Sequence, residues 1–208
     1  MVTSGHSAIL PGTRRQLLVG LASLSATALF PRRPADAASP PAGTGNIMPD
    51  TIAAPTGAHD FDFFVGDWKT QHRQLRHRLA GDTEWLEFSG TVSMRQILAG
   101  LGNIDEGEIL SPRGRYTGVT LRLFDPDAGT WSIYWLDSRK PVIDTPMVGR
   151  FEQGVGLFYA DEPFEGRPIR VRFIWTPVSA NECRWEQAFS ADGGTSWETN
   201  WTMIHTRA

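Results

Sequence analysis

The sequence predicts an all-β protein: one antiparallel, up-and-down barrel of about ten strands, preceded by an export signal and a tether. Three observations lead there. Short runs of alternating apolar and polar residues recur about every dozen residues from His59 to the C-terminus. Gly, Pro and Asp punctuate these runs, and no gap between them is long enough for a crossover helix, which excludes parallel pairing. All eight tryptophans lie in the same region, where large side chains have a core to fill.

The first segment does not belong to that pattern. Arg14 and Arg15 precede the apolar run "LLVGLASLSATAL", Leu17 to Leu29. Its 13 residues suit the apolar part of a signal peptide and are too few to span a bilayer. Pro31 stops the run, and "ADA" at Ala35 to Ala37 offers the small residues a signal peptidase accepts. "TRRQLL" resembles a twin-arginine signal, with Leu17 in place of Phe and Val19 in place of Lys. Residues 1–37 are therefore expected to be a signal peptide of twin-arginine type, with the twin-arginine export machinery as partner during secretion. The destination is periplasmic or secreted. Removing 1–37 takes away four arginines and one aspartate and leaves a net charge of about −6. That balance gives no reason to expect nucleic acid or an anionic membrane as partner. No integral membrane span is expected after signal removal. Cys183 stands alone, so no intramolecular disulfide forms.

Residues 38–57, rich in Pro, Ala and Gly, form a flexible tether, and 58–208 form the barrel domain. A single turn of helix is expected near "FDFFVG", Phe61 to Gly66. The strands follow in order: "DWKTQHRQLRHRL", "TEWLEFSGTVSM", "GNIDEGEIL", "RYTGVTLRLF", "TWSIYWLD", "MVGRFE", "VGLFYAD", "PIRVRFIWTPV", "CRWEQAFS" and "WETNWTMIHT". Alternation assigns the faces. Ile169, Val171, Phe173 and Trp175 point inward, with Arg170 and Arg172 outward. By the same rule Val119, Leu121 and Leu123 point inward, with Thr120 and Arg122 outward. A two-sheet sandwich is the competing architecture; closure is preferred because it removes two unpaired edges.

"FDFFVGDW", Phe61 to Trp68, carries G-x-W on the first strand. It resembles the G-x-W that opens lipocalins and other calycin barrels, where the Trp closes one end and a basic residue of the last strand often accompanies it. Arg207 is the counterpart here. More of the chain is similar to an uncharacterised bacterial family of unknown function that opens on F-x-F-x-x-G-x-W. The matching stretches are "FDFFVGDW", "GVTLRLFDPDAGTWSIYWLDS", "VGRFEQGVGLFY" and "RWEQAFSADGGTSWETNW", across most of residues 60–204. This resemblance implies a calycin-like barrel and supplies no activity.

"SADGGTSW", Ser190 to Trp197, fits the Asp-box pattern S-x-D-x-G-x-x-W of sialidases. A propeller repeats that box between many four-stranded blades, and this chain has one copy among about ten strands. The motif is expected to be a hairpin clasp, with Asp192 accepting turn N–H groups, the glycines at positive φ and Trp197 packing over the loop. "LFDPDAGTW" is expected to be a second turn of the same kind.

The candidate site lies on the inward faces. Trp135, Trp175, Trp185 and Trp201 share faces with apolar neighbours. His72 is in phase with Trp68, Asp137 with Trp131, Ile133 and Trp135, and Gln187 lies between Trp185 and Phe189. A buried polar group needs a partner or a ligand, so these residues are candidate ligand contacts, with Arg139 and Arg150 as anion partners at the rim. The sequence contains no H-E-x-x-H, C-x-x-C, G-x-S-x-G or phosphate loop. No metal and no cofactor is expected. Some small calycin-like barrels hold haem on a single His, and for that His72 and His205 are the candidates. The leading expectation is an exported, lipocalin-like barrel that binds a small apolar or aromatic molecule. Two readings compete with it: a small periplasmic isomerase, cyclase or hydrolase using Asp137 as acid or base, and an envelope interaction module.

Overall fold

A computed structural model of the chain describes residues 56–208. The expected signal peptide, and the tether as far as residue 55, lie outside the described residues. Ten strands follow one another: β1 (Gly66–Leu75), β2 (Trp85–Ile97), β3 (Gly102–Ser111), β4 (Gly114–Asp125), β5 (Thr130–Asp137), β6 (Met147–Glu152), β7 (Val155–Phe164), β8 (Arg167–Ser179), β9 (Glu182–Ser190) and β10 (Glu198–Arg207). Each pairs antiparallel with its neighbours in sequence, and β10 closes on β1. The barrel is closed, so the sandwich is excluded and no sheet edge is left open. Among the described residues no helix is long and apolar enough to cross a membrane. The helical turn expected at Phe61 to Gly66 is a single 3-10 turn, Asp62–Phe64, and a second one, Leu98–Gly100, joins β2 to β3.

One end of the barrel is closed by aromatic packing. Phe61, Phe64 and Trp68 are each 1 % exposed. The Trp68 indole donates to Phe64 O at 2.8 Å. Arg207 lies over the Trp68 ring at 3.9 Å and donates to Phe63 O, Val65 O and Ala180 O. The last strand is thereby tied to the segment that enters the first. Loops at the opposite end, between β1 and β2, β3 and β4, β5 and β6, β7 and β8, and β9 and β10, surround the mouth.

The β9–β10 loop is a hydrogen-bonded clasp. Ser196 donates to Asp192 through N and Oγ, at 2.9 and 2.6 Å, and Ser190 Oγ donates to Asp192 Oδ1 at 2.7 Å. Gly193 and Gly194 take φ of 71° and 98°, which side chains disfavour. The Trp197 indole donates to Gly194 O at 3.0 Å and packs under Arg172, whose Cζ is 4.4 Å from the ring.

Alternation predicts the faces of β8: Ile169, Val171 and Trp175 are buried and Arg170 is exposed. On β4 it fails. Tyr116, Gly118, Thr120, Arg122 and Phe124 are the buried positions, while Val119, Leu121 and Leu123 lie on the outer face, half-buried. The reversal has a physical cause. Arg122 finds Asn103 and Asp105 on the inward face of β3, so burying it leaves no uncompensated charge. The outer leucine side is itself covered in part by neighbours, since Leu121 pairs with Ile104 on one side and Tyr134 on the other.

One seam is short. β5 and β6 pair at three positions, Trp131 with Gly149, Ser132 with Val148 and Ile133 with Met147. Above them the 138–146 loop lies along β5, where Asp144 N donates to Trp135 O at 3.1 Å.

Candidate functional site

The barrel interior is not filled by its own side chains. A cavity of about 170 Å³ lies between the aromatic plug and the mouth. Four of the expected tryptophans line it, Trp135 from β5, Trp175 from β8, Trp185 from β9 and Trp201 from β10. Trp185 and Trp201 meet edge to face at 5.5 Å. Trp135 extends over Gly118, where even a methyl group would approach its ring to 2.2 Å. The absence of a side chain at position 118 is what leaves room for that indole.

His72 and Gln187, also expected, line the same cavity. The Trp201 indole donates to His72 Nδ1 at 3.3 Å, so Nε2 carries the proton and donates to Thr70 Oγ1 at 2.8 Å. Phe88 stacks on the imidazole at 4.7 Å. Burial holds His72 down at about 4, so it is neutral near pH 7. Gln187 Nε2 donates to Asn200 Oδ1 at 2.8 Å, beside a bulge where the β9–β10 register shifts between Thr199 and Trp201.

Asp137, Arg139 and Arg150 are not brought to the cavity wall. Asp137 and Arg139 form a two-pronged pair at the mouth, with distances of 3.1 and 2.6 Å. Arg139 also covers the Tyr116 ring at 3.6 Å. The Arg139 guanidinium holds the Asp137 carboxyl down at about 2. Arg150 is exposed on the outer face of β6, because Met147 at the start of that strand takes the inward parity and Arg150 falls on the opposite one.

Several residues of the site escape sequence reading. Arg122 is 2 % exposed and lines the cavity beside Asp105, with Nη1 2.5 Å from Asp105 Oδ2 and 3.0 Å from Asn103 Oδ1. Its guanidinium lies within 5.0 to 5.5 Å of the Phe61, Phe64 and Trp175 rings. Glu162 reaches inward from β7, and its carboxyl is raised by burial and by nearby Asp144. Arg78, from the β1–β2 loop, stands over Phe189 and Trp201 at 5.6 and 6.0 Å with no ion-pair partner among the described residues. The bulky ends of "YTGVTLRLF" were the available signal for Arg122: Tyr116 and Phe124 share its parity.

Neither histidine is placed as a ligand to haem iron. Both His72 ring nitrogens are hydrogen-bonded. His205 is 3 % exposed, packed between Trp175 at 5.6 Å and Phe64 at 5.0 Å, and the cavity of about 170 Å³ beside it is too small for a macrocycle. Burial, with His72 and Arg122 nearby, holds His205 down at about 3. These residues do not fit a haem ligand set. Among the described residues no three His, Cys, Asp or Glu side chains gather as metal ligands.

No family model matches the chain, and no curated protein matches it. Among solved structures it is similar to the S-type phycobiliprotein lyase CPES from Guillardia theta, with 13 % identity and a TM-score of 0.49 over 71 % of this chain and 90 % of that one. A de novo designed fluorescence-activating β-barrel is similar with 14 % identity and a TM-score of 0.39, over 71 % of this chain and 95 % of that one. EF1p2_mFAP2b bound to DFHBI is similar with 12 % identity and a TM-score of 0.40, over 74 % of this chain and 100 % of that one.

Proposed function

We propose that this chain is an exported small-molecule-binding barrel whose lumen takes an apolar or aromatic ligand of one or two fused rings. The observation that carries this reading is the unfilled cavity lined by Trp135, Trp175, Trp185 and Trp201. Close packing is the rule in protein interiors, and an enclosed apolar space with a few placed polar groups is the usual form of a ligand site. A purely scaffolding barrel would gain about 1 kcal/mol for each methylene used to fill that space. Two of the polar groups at the cavity are engaged with protein partners, His72 with Thr70 and Trp201 and Arg122 with Asp105, which suits orientation of a ligand more than chemistry on it. In this proposal export follows the twin-arginine route and the binding takes place in the periplasm or outside the cell.

Native mass spectrometry of protein purified from the cells that make it is expected to show a retained ligand of low mass. Calorimetric titration of the ligand-stripped protein with 2-isopropenylnaphthalene is expected to show one saturable site. Absence of both a retained ligand and of saturable naphthalene binding removes the proposal. Export is tested separately: a reporter fusion that still leaves the cytoplasm after Arg14→Lys plus Arg15→Lys overturns the twin-arginine route.

A further inference from the structure

The charges that line the cavity do not cancel. Its acidic and basic side chains are His72, Asp105, Arg122, Asp144, Glu162 and His205. Burial keeps both imidazoles uncharged near pH 7. Arg122 and Asp105 pair at 2.5 Å and neutralise each other. Two carboxylates are left over, Glu162 from β7 and Asp144 from the 138–146 loop. Neither has an ion-pair partner among the described residues. Strand parity turns Glu162 inward: it shares a face with Phe158, which is fully buried, and pairs across to Ile169, which is 4 % exposed. It lies near the end of β7, at the mouth, and is half-buried, so a ligand in the cavity can reach it.

The surroundings of Glu162 favour a positive partner. Burial and the nearby Asp144 raise its carboxyl, and Arg78 offsets only part of that effect. The Arg78 guanidinium is itself placed over the Phe189 and Trp201 rings, and Arg139 is matched by Asp137. The walls act in the same sense. Trp135, near the end of β5, and Trp201, near the start of β10, line the cavity on the side of the mouth. Indole faces attract cations, more strongly where water is excluded. A ligand carboxylate would meet two like charges there, and a hydrocarbon would leave both carboxylates partly desolvated without a partner. We infer that the lumen takes a ring compound bearing a protonated amine, with its rings among the tryptophans and its ammonium group beside Glu162 and Asp144. This rests on the lumen-binding reading above and adds to it the charge and the orientation of the ligand.

The test uses three naphthalenes of similar shape, titrated calorimetrically into the full chain at pH 7.5: 2-(aminomethyl)naphthalene, its hydrocarbon isostere 2-ethylnaphthalene, and 2-naphthoate. The amine is expected to bind about tenfold more tightly than the hydrocarbon, as a charge contact reinforced by indole faces provides. Naphthoate is expected to be the weakest of the three. Glu162→Gln keeps the shape and removes the charge, and should shrink the amine-to-hydrocarbon ratio several-fold while hydrocarbon binding persists. Asp144→Asn, in a loop outside the strand ladder, should act in the same direction and guards against a folding defect in the first variant. Equal affinity for amine and hydrocarbon overturns the cationic assignment and leaves the lumen-binding reading intact. A ratio unchanged in both variants overturns the role of the two carboxylates. Tightest binding of naphthoate shows that Arg78 governs the mouth and overturns the proposal. If none of the three binds, the lumen-binding reading falls and the cationic assignment with it.

Discussion

Arg122 and Asp105 meet inside the barrel at 2.5 Å from neighbouring strands, with side chains 2 % and 6 % exposed. Removing either partner strands a charge in the core. Arg122→Met and Asp105→Leu should each lower stability by about 3–5 kcal/mol, and the double variant should recover much of that loss. Urea unfolding of the three proteins measures the coupling. Additive losses would show that the pair is not a unit.

Acid should weaken the fold through the imidazoles. His72 and His205 are held at about 4 and about 3, below the value near 6.5 of an unfolded chain. The unfolded state takes up protons that the folded state refuses, so their contribution is complete above pH 6.5 and declines as pH falls, toward about 4 for His72 and about 3 for His205. Urea midpoints at pH 7.5 and 5.0 are expected to differ for the natural chain and to differ less for His72→Gln.

The Asp192 carboxyl is held well below the usual range by hydrogen bonds from Ser196 and Ser190. Its contribution is present above about pH 4, the unfolded value, and disappears as pH falls through the depressed one. Asp192→Ala should destabilise the hairpin at pH 7, and the gap to the natural chain should narrow in strong acid. Glycan binding should be absent from both, because the carboxylate is spent inside its own turn.

Asp137 is expected to contribute no limb to any pH–rate profile between pH 5 and 8. Its carboxyl titrates at about 2 while Arg139 holds it. If a reaction is found in this barrel, Asp137→Asn should leave the shape of the profile unchanged. A lost or shifted limb in that range would restore the carboxylate as an acid or base.

Gly118 tests the cavity by volume. A methyl there approaches Trp135 Cη2 to 2.2 Å, so Gly118→Ala must push the indole aside. Naphthalene affinity should fall several-fold while near-ultraviolet circular dichroism reports a displaced tryptophan in a folded barrel. Unchanged affinity would exclude Trp135 from the ligand contact.

All ten strands were legible because turn residues and alternation agree along the chain, and the β8 face follows directly from Ile169, Val171 and Trp175. The face of β4 was not legible from the leucines. Alternation ranks Arg122 as an outward residue, and only its partner on β3 makes the inward position tolerable; that partnership is a property of register, Asn103 opposite Arg122. For the same reason the tryptophans, His72 and Gln187 could be expected at the cavity, while Asp105 and Glu162 could not: acidic residues give no inward signal until the opposing strands are in place. Asp137 and Arg139 satisfy each other two residues apart, a local solution that face assignment does not weigh.

The short β5–β6 seam turns the barrel into a convenient sensor frame. Ile143, in the loop that covers the upper part of that seam, is 64 % exposed, and its neighbours Asp144 and Thr145 line the cavity. The sole cysteine, Cys183, is fully buried, and burial pushes its thiol up to about 12, so maleimide chemistry passes it by. A thiol introduced as Ile143→Cys would be the single site for a solvatochromic dye, one residue from the ligand chamber and off the hydrogen-bonded ladder. Occupancy of the lumen would then be visible as a change of colour.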